Sequence, residues 1–110
     1  MSDTREGLAG LLALAPDALL LAEAQAMMIG SLIVGWDGWR GSFYRLAVRP
    51  EHRRRGVATA LLREGERRLK DLGAARMTAI VASDEPGALA FWEASGYGRQ
   101  ADRVRFIRHT

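Results

Sequence analysis

Apolar and polar positions change period several times along the chain, and each change predicts an element. Within residues 4–15, Leu8, Leu11, Leu12 and Ala15 recur at helical spacing and make one apolar face, which Pro16 ends. Residues 18–23 and 27–35 are apolar runs of strand length. Gln25-Ala26 between them contains no good turn former, whereas Asp37-Gly38 after the second is a turn signal. Residues 42–48 read as a third strand, stopped by Pro50. From 56 to 72 the period becomes helical again: Val57, Ala58, Leu61, Leu62, Leu69 and Leu72 share one face, and Arg63, Glu64, Glu66, Arg67, Arg68 and Lys70 occupy the other. Glu64 with Arg68 and Glu66 with Lys70 are favourable pairs four residues apart, and Gly73 stands where a left-handed cap closes a helix. Residues 76–83 then read as a buried strand, 86–94 as a second helix and 103–107 as a closing strand. Strand, helix, strand in this order implies a right-handed crossover between parallel strands. The whole pattern predicts an α/β (α+β) fold, a mixed central sheet with flanking helices.

Length and composition narrow the class. The 110 residues suit one domain covering the chain, and 48% apolar with 26% charged positions is an ordinary globular balance. Residues 18–36 are apolar enough to suggest a membrane span, but Glu23, Gln25 and Ser31 break the run and favour two strands. The absence of cysteine excludes disulfides, thiolate metal sites and a cysteine nucleophile, and nothing argues for an oxidising compartment. The start, Met1 to Glu6, is acidic where an export signal is basic, so a cytoplasmic protein is expected. His52 and His109 have no partner ligands at metal spacing, and no metal site is expected. The net charge is only +3, yet Lys70 is the single lysine among 16 basic residues. An arginine fork binds phosphate in a bidentate way that an ammonium cannot, which makes an anionic partner plausible.

The chemistry becomes legible between the third strand and its helix, in Arg49-Pro50-Glu51-His52-Arg53-Arg54-Arg55-Gly56-Val57-Ala58. A strand turning sharply into a helix leaves the first backbone N–H groups unpaired and aligned, with the positive end of the helix dipole behind them. Such a turn holds phosphate. Gly56 lets an anion approach the backbone, Ala58 keeps the first turn small, and Arg53, Arg54 and Arg55 add charged donors.

Arg53-Arg54-Arg55-Gly56-Val57-Ala58 resembles the pyrophosphate-binding motif of the GCN5-related N-acetyltransferases: Gln or Arg, two residues, Gly, one residue, Gly or Ala. It follows a strand end, Leu46-Ala47-Val48-Arg49-Pro50, that looks like the family's own. Further on, Ala88-Leu89-Ala90-Phe91-Trp92-Glu93-Ala94-Ser95-Gly96-Tyr97 is similar to the family's second motif, a short helix ending in Gly-Phe or Gly-Tyr. The resemblance covers roughly residues 18–107. It implies an acyl-CoA N-acyltransferase-like fold, shortened at the N-terminus, in which two central parallel strands splay and admit the pantetheine arm of acetyl-CoA. It further implies that the backbone around Leu46, Ala47 and Val48 pairs with pantetheine. Residues Arg53, Arg54, Arg55, Gly56, Val57, Ala58 and Thr59 would hold the diphosphate, and Phe91 and Trp92 would flank the cofactor. The implied reaction is direct acetyl transfer to an amine in a ternary complex, without a metal or a covalent enzyme intermediate.

The chain departs from the family pattern where acid and base are usually found. Trp92 replaces the tyrosine often credited with protonating the thiolate, Glu85 stands where an asparagine is common, and Ile80 and Tyr44 replace occasional catalytic glutamates. Tyr44 and Tyr97 are the remaining catalytic candidates, although a tyrosine near its ordinary pKa of about 10 more often packs or hydrogen-bonds in a core. Trp36, Trp39, Phe43 and Tyr44 could line an acceptor pocket, with cross-strand packing the preferred account. The missing N-terminal strand should expose the edge at residues 18–23, and a homodimer that completes the site or covers that edge is expected. Two other readings stay open: a degenerate CoA-binding or interaction module, and a small basic nucleic-acid-binding domain built on Arg49, Arg53, Arg54 and Arg55 with Arg99, Arg103, Arg105 and Arg108. The small net charge and the lack of any nucleic-acid module signature favour the acyltransferase.

Overall fold

The computed structural model describes residues 18–81 and 85–109, which form two compact units that divide after Ile80. The expected helix over 4–15 lies outside the described residues, as do positions 82–84. In the first unit, β1 (Leu19–Ala24), β2 (Met27–Trp36), β3 (Arg40–Val48) and β4 (Arg76–Ala79) form one sheet in the order β1-β2-β3-β4, and α1 (Val57–Asp71) connects β3 to β4. The first two pairs are antiparallel and β3 with β4 is parallel, so the sheet is mixed, as the strand-helix-strand order predicts.

The two hairpin turns are made differently. Asp37 accepts hydrogen bonds at Oδ1 from the backbone N–H of Trp39 (2.9 Å) and Arg40 (2.6 Å), and Gly38 takes φ 94°. Those N–H bonds, Arg40 first, hold the Asp37 carboxyl below its ordinary pKa. The β1–β2 turn places Gln25 (φ 52°) and Ala26 (φ 63°) in the left-handed region that a two-residue hairpin turn requires. Neither residue favours it, at a cost of roughly 1–2 kcal/mol each. The paired apolar strands on either side dictate this turn, which is why its residues gave no signal.

Phe43, Leu32, Leu62 and Leu69 are the largest fully buried side chains among the described residues. Leu61 and Leu62 of the predicted apolar face are buried with Leu69, whereas Leu72, expected with them, is 56% exposed just beyond the helix end. Gly65 is buried in its place: a Cβ there would lie 2.8 Å from Cε1 of Phe43, so the missing side chain lets α1 approach β3. Gly41 makes the matching concession on the strand, facing Leu69. The outer face of α1 carries ion pairs from Glu64 to Arg67 (2.7 Å) and Arg68 (3.0 Å), while Glu66 bonds Arg63 (2.6 Å).

The second unit contains α2 (Pro86–Ala94), with proline in its first turn and Gly96 at φ 98° after its end. Trp92 is buried, with Phe91 (5.5 Å) and Tyr97 (5.1 Å) meeting its ring edge-on. The closing strand expected over 103–107 is not formed, since residues 103–109 adopt no regular element and Phe106 is 93% exposed. Alternation alone does not make a strand; a ladder partner does, and among the described residues of this unit there is no strand for it to join.

Candidate functional site

The site begins where β3 stops being an ordinary strand. From Arg40 to Phe43 it is paired on both sides, to β2 and to Arg76–Ala79 of β4. The last link to β4 is the Ile80 N–H to the Phe43 carbonyl at 3.4 Å. β4 ends at Ala79, and among the described residues the rest of β3 pairs with β2 alone, its pairing slipping by one between Ser31 and Ile33. Arg45, at φ 53°, is in the left-handed region at that slip, which makes it a β-bulge beside Leu46. The bulge had no signal in the sequence, because glycine is the usual residue at such a φ.

After the bulge the register fixes which backbone groups are free. The Arg49 N–H donates to the Ile29 carbonyl (2.8 Å), with Gly30 opposite Val48 and Ser31 opposite Ala47. Successive residues of a strand alternate, so the polar groups of Ala47 and Arg49 face β2 and those of Val48 point away from it, its carbonyl accepting from Arg53 Nε. Ala47 therefore has only its exposed methyl group to offer a ligand. The Arg49 side chain anchors this end of the strand, donating from Nε to the Met28 carbonyl at 2.7 Å.

Next comes a tight turn. Pro50–His52 is a single turn of 3-10 helix, closed by the N–H of Arg53 on the Pro50 carbonyl (3.2 Å), and Arg53 Nε donates to the Val48 carbonyl (3.3 Å). Arg54 (φ 63°) and Gly56 (φ 79°) are both left-handed, and α1 begins at Val57. The first intrahelical bond runs from the Ala60 N–H to the Gly56 carbonyl (2.9 Å), so the N–H groups of Val57, Ala58 and Thr59 have no intrahelical acceptor. A left-handed residue followed by helical ones turns successive N–H groups into one concavity, the backbone geometry that binds anions. No heavy atom lies within 4 Å of where a Gly56 Cβ would be. Glycine is therefore required here for its φ, and the space in front of it is open. Arg53, Arg54 and Arg55 are exposed around this concavity. Residues 48–59 are thus brought together as the motif led one to expect.

The other candidates sit elsewhere. Phe91 and Trp92 belong to the second unit, where Tyr97 packs edge-on against Trp92. Tyr44 is exposed, and its ring lies 3.2 Å from the position of a Gly35 Cβ. The four aromatic residues of the hairpin do not gather: Phe43 is fully buried, Trp39 is 64% exposed, and the Arg40 guanidinium lies 5.2 Å from the Trp39 ring. Among the described residues no helix is long and apolar enough to cross a membrane.

The chain is similar to known proteins in sequence and in fold. The sequence model of the acetyltransferase (GNAT) family matches residues 5–97. An acetyltransferase of Sodalis glossinidius is 35% identical over 85 residues, which is 77% of this chain and 60% of that protein. The chain thus spans about 60% of the length of that curated relative. Two solved structures share the fold. Ard1 from Thermoplasma volcanium has a TM-score of 0.84 at 18% identity, covering 92% of this chain and 69% of that one. An aminoglycoside N-acetyltransferase in complex with CoA has a TM-score of 0.72 at 22% identity, covering 96% and 90%. With the family match spanning most of its length, this chain belongs to the GNAT acetyltransferase family.

Proposed function

We propose that this chain transfers an acetyl group from acetyl-CoA to an amine, directly and within a ternary complex, as a cytoplasmic enzyme. The observation that carries the reading is the continuity from the second half of β3, through Val48, to the anion concavity at Gly56. One side offers backbone partners for an extended amide-bearing arm, and the other offers N–H groups and arginines for a diphosphate. The segment fits such a carrier, because the space before Gly56 is open and no carboxylate of 48–59 intrudes except Glu51, which leans toward Arg49 Nη1 at 4.0 Å.

When bound, acetyl-CoA supplies an activated thioester. The chain's own part is to orient the arm along β3, to neutralise the diphosphate, and to aim backbone N–H groups at the developing oxyanion. A C–N bond forms from the amine lone pair, the C–S bond breaks, and the proton lost by the amine balances the departing thiolate. Phe91 and Trp92 are proposed to flank the cofactor, and Tyr44 and Tyr97 to be the available hydroxyls, on family resemblance alone. Since no carboxylate occupies the usual base position, the acceptor arrives as the free amine or loses its proton to water. The aminoglycoside acetyltransferase among the neighbours makes aminoglycosides the first acceptors to try, beside peptide N-termini and small amines.

The test is release of free CoA thiol from acetyl-CoA over such an amine panel. Amine-dependent release supports an acetyltransferase. CoA binding without release from any amine supports the inert binding module instead.

A further inference from the structure

Four arginines stand between Val48 and Val57, and the fold uses them differently. Arg54 and Arg55 are exposed beside the concavity, where their charge suits an anion. Arg49 is bound into the framework instead. Its N–H donates to the Ile29 carbonyl at 2.8 Å and its Nε to the Met28 carbonyl at 2.7 Å, so one residue holds two successive carbonyls of β2. Its own carbonyl accepts from the His52 N–H at 2.9 Å, which ties it to the turn Pro50–His52. The register pairs of β2 with β3 end at Gly30 opposite Val48, and Pro50 has no N–H to donate. The Arg49 side chain thus extends the strand pairing by one carbonyl just where the chain leaves the sheet. Glu51 Oε1, 4.0 Å from Arg49 Nη1, offsets part of its charge.

We propose that Arg49 is a positioning residue. Its bond to Met28 fixes the direction in which residues 50–56 leave β3, and so sets the N–H groups of Val57, Ala58 and Thr59 at a constant distance from Val48. A carrier whose extended arm lies along β3 and whose diphosphate lies at the start of α1 must meet both at once. Displacing one against the other therefore costs affinity even when every contacting group is still present. Arg49 acts through those groups and not as a charge on the diphosphate. The choice of ligand rests on the acetyl-CoA reading above, whereas the brace itself rests on the bonds to Met28, Ile29 and His52.

Two uncharged substitutions separate the brace from the charge. Glutamine Nε2 stands as many bonds from Cα as arginine Nε, so Arg49→Gln keeps a donor for the Met28 carbonyl and loses only the charge. Arg49→Met is of similar length and loses both. Each variant is followed by amide exchange in NMR without ligand and by calorimetric titration of CoA. The proposal expects the Arg49-position and His52 amides to exchange roughly tenfold faster in Arg49→Met than in Arg49→Gln, while the Leu62 and Leu69 amides of α1 stay as they were. It also expects CoA to bind Arg49→Met roughly tenfold more weakly than Arg49→Gln. Equal CoA affinity in the two variants overturns the proposal, because Arg49 would then act by its charge or not at all. Equal amide exchange overturns it too, because the bond to Met28 would not be holding the turn. A native chain that takes up no CoA removes the acetyl-CoA reading, and the exchange comparison then decides by itself whether Arg49 is a brace.

Discussion

The two halves of β3 divide the labour of the molecule. Its first half, Arg40 to Phe43, is hydrogen-bonded on both sides, contains the fully buried Phe43, and has glycine where the helix must come close. Its second half, beyond Tyr44, pairs only with β2 among the described residues, bulges at Arg45, turns the polar groups of Val48 away from β2 and runs into a concavity of N–H groups with no intrahelical acceptor. The first half pairs its backbone on both sides and gains from burial. The second leads to N–H groups with no acceptor in the helix, an arrangement that suits a ligand able to pair with them. One strand thus carries both the fold and the candidate site, and the boundary lies where its described pairing with β4 ends.

That contrast can be attacked from either end, and the largest effects belong to the closed half. Phe43→Ala removes a fully buried ring and is expected to cost about 3–5 kcal/mol, read as a fall in the denaturant midpoint. Gly65→Ala drives a methyl group against that ring and is expected to cost about 1–3 kcal/mol by overpacking. In the open half the ranking reverses, with binding lost before stability. Gly56→Glu forces a left-handed φ on a side chain, at roughly 1–2 kcal/mol of stability. It also sets a carboxylate in the concavity, and calorimetry should show CoA affinity falling by about two orders of magnitude. Arg54→Ala and Arg55→Ala should leave the unfolding midpoint nearly unchanged, weaken CoA binding about tenfold each, and flatten its salt dependence.

The smallest effect lies on the outer face of α1. Hydrogen bonds from Arg67 and then Arg68 lower the Glu64 carboxyl from 4.5 to about 2. A carboxylate lowered on folding adds stability above its unfolded pKa, so this contribution is complete above about pH 4.5 and disappears as the pH falls toward 2. Thermal unfolding followed across that window should be steeper for the native chain than for Glu64→Gln.

Much of this was legible in the sequence, for identifiable reasons. The helix of α1, its arginine pairs, the Asp37-Gly38 turn and the motif at Gly56 are local signals, each set by residues a few positions apart. What escaped was set by long-range pairing. The Gln25-Ala26 turn and the bulge at Arg45 put residues without left-handed preference at positive φ, because the strands around them left no alternative. Leu72, expected on the apolar face, is exposed, and Gly65 is buried there because close approach to Phe43 selects the smallest side chain, a preference periodicity does not encode. The segment 103–107 has the right alternation and lacks the ladder neighbour that would make it a strand. The family resemblance supplied the cofactor, while register and φ angles supplied the reason that Val48 and Gly56 suit it.

The most direct measurement titrates CoA, and separately its phosphate-free pantetheine arm, into the native chain and into Gly56→Glu by calorimetry. The account predicts that CoA binds the native chain far more tightly than pantetheine does, and that the substitution abolishes this advantage while pantetheine binding stays as it was. Equal CoA affinity in both proteins would contradict it, because the diphosphate would then be held somewhere other than at the start of α1.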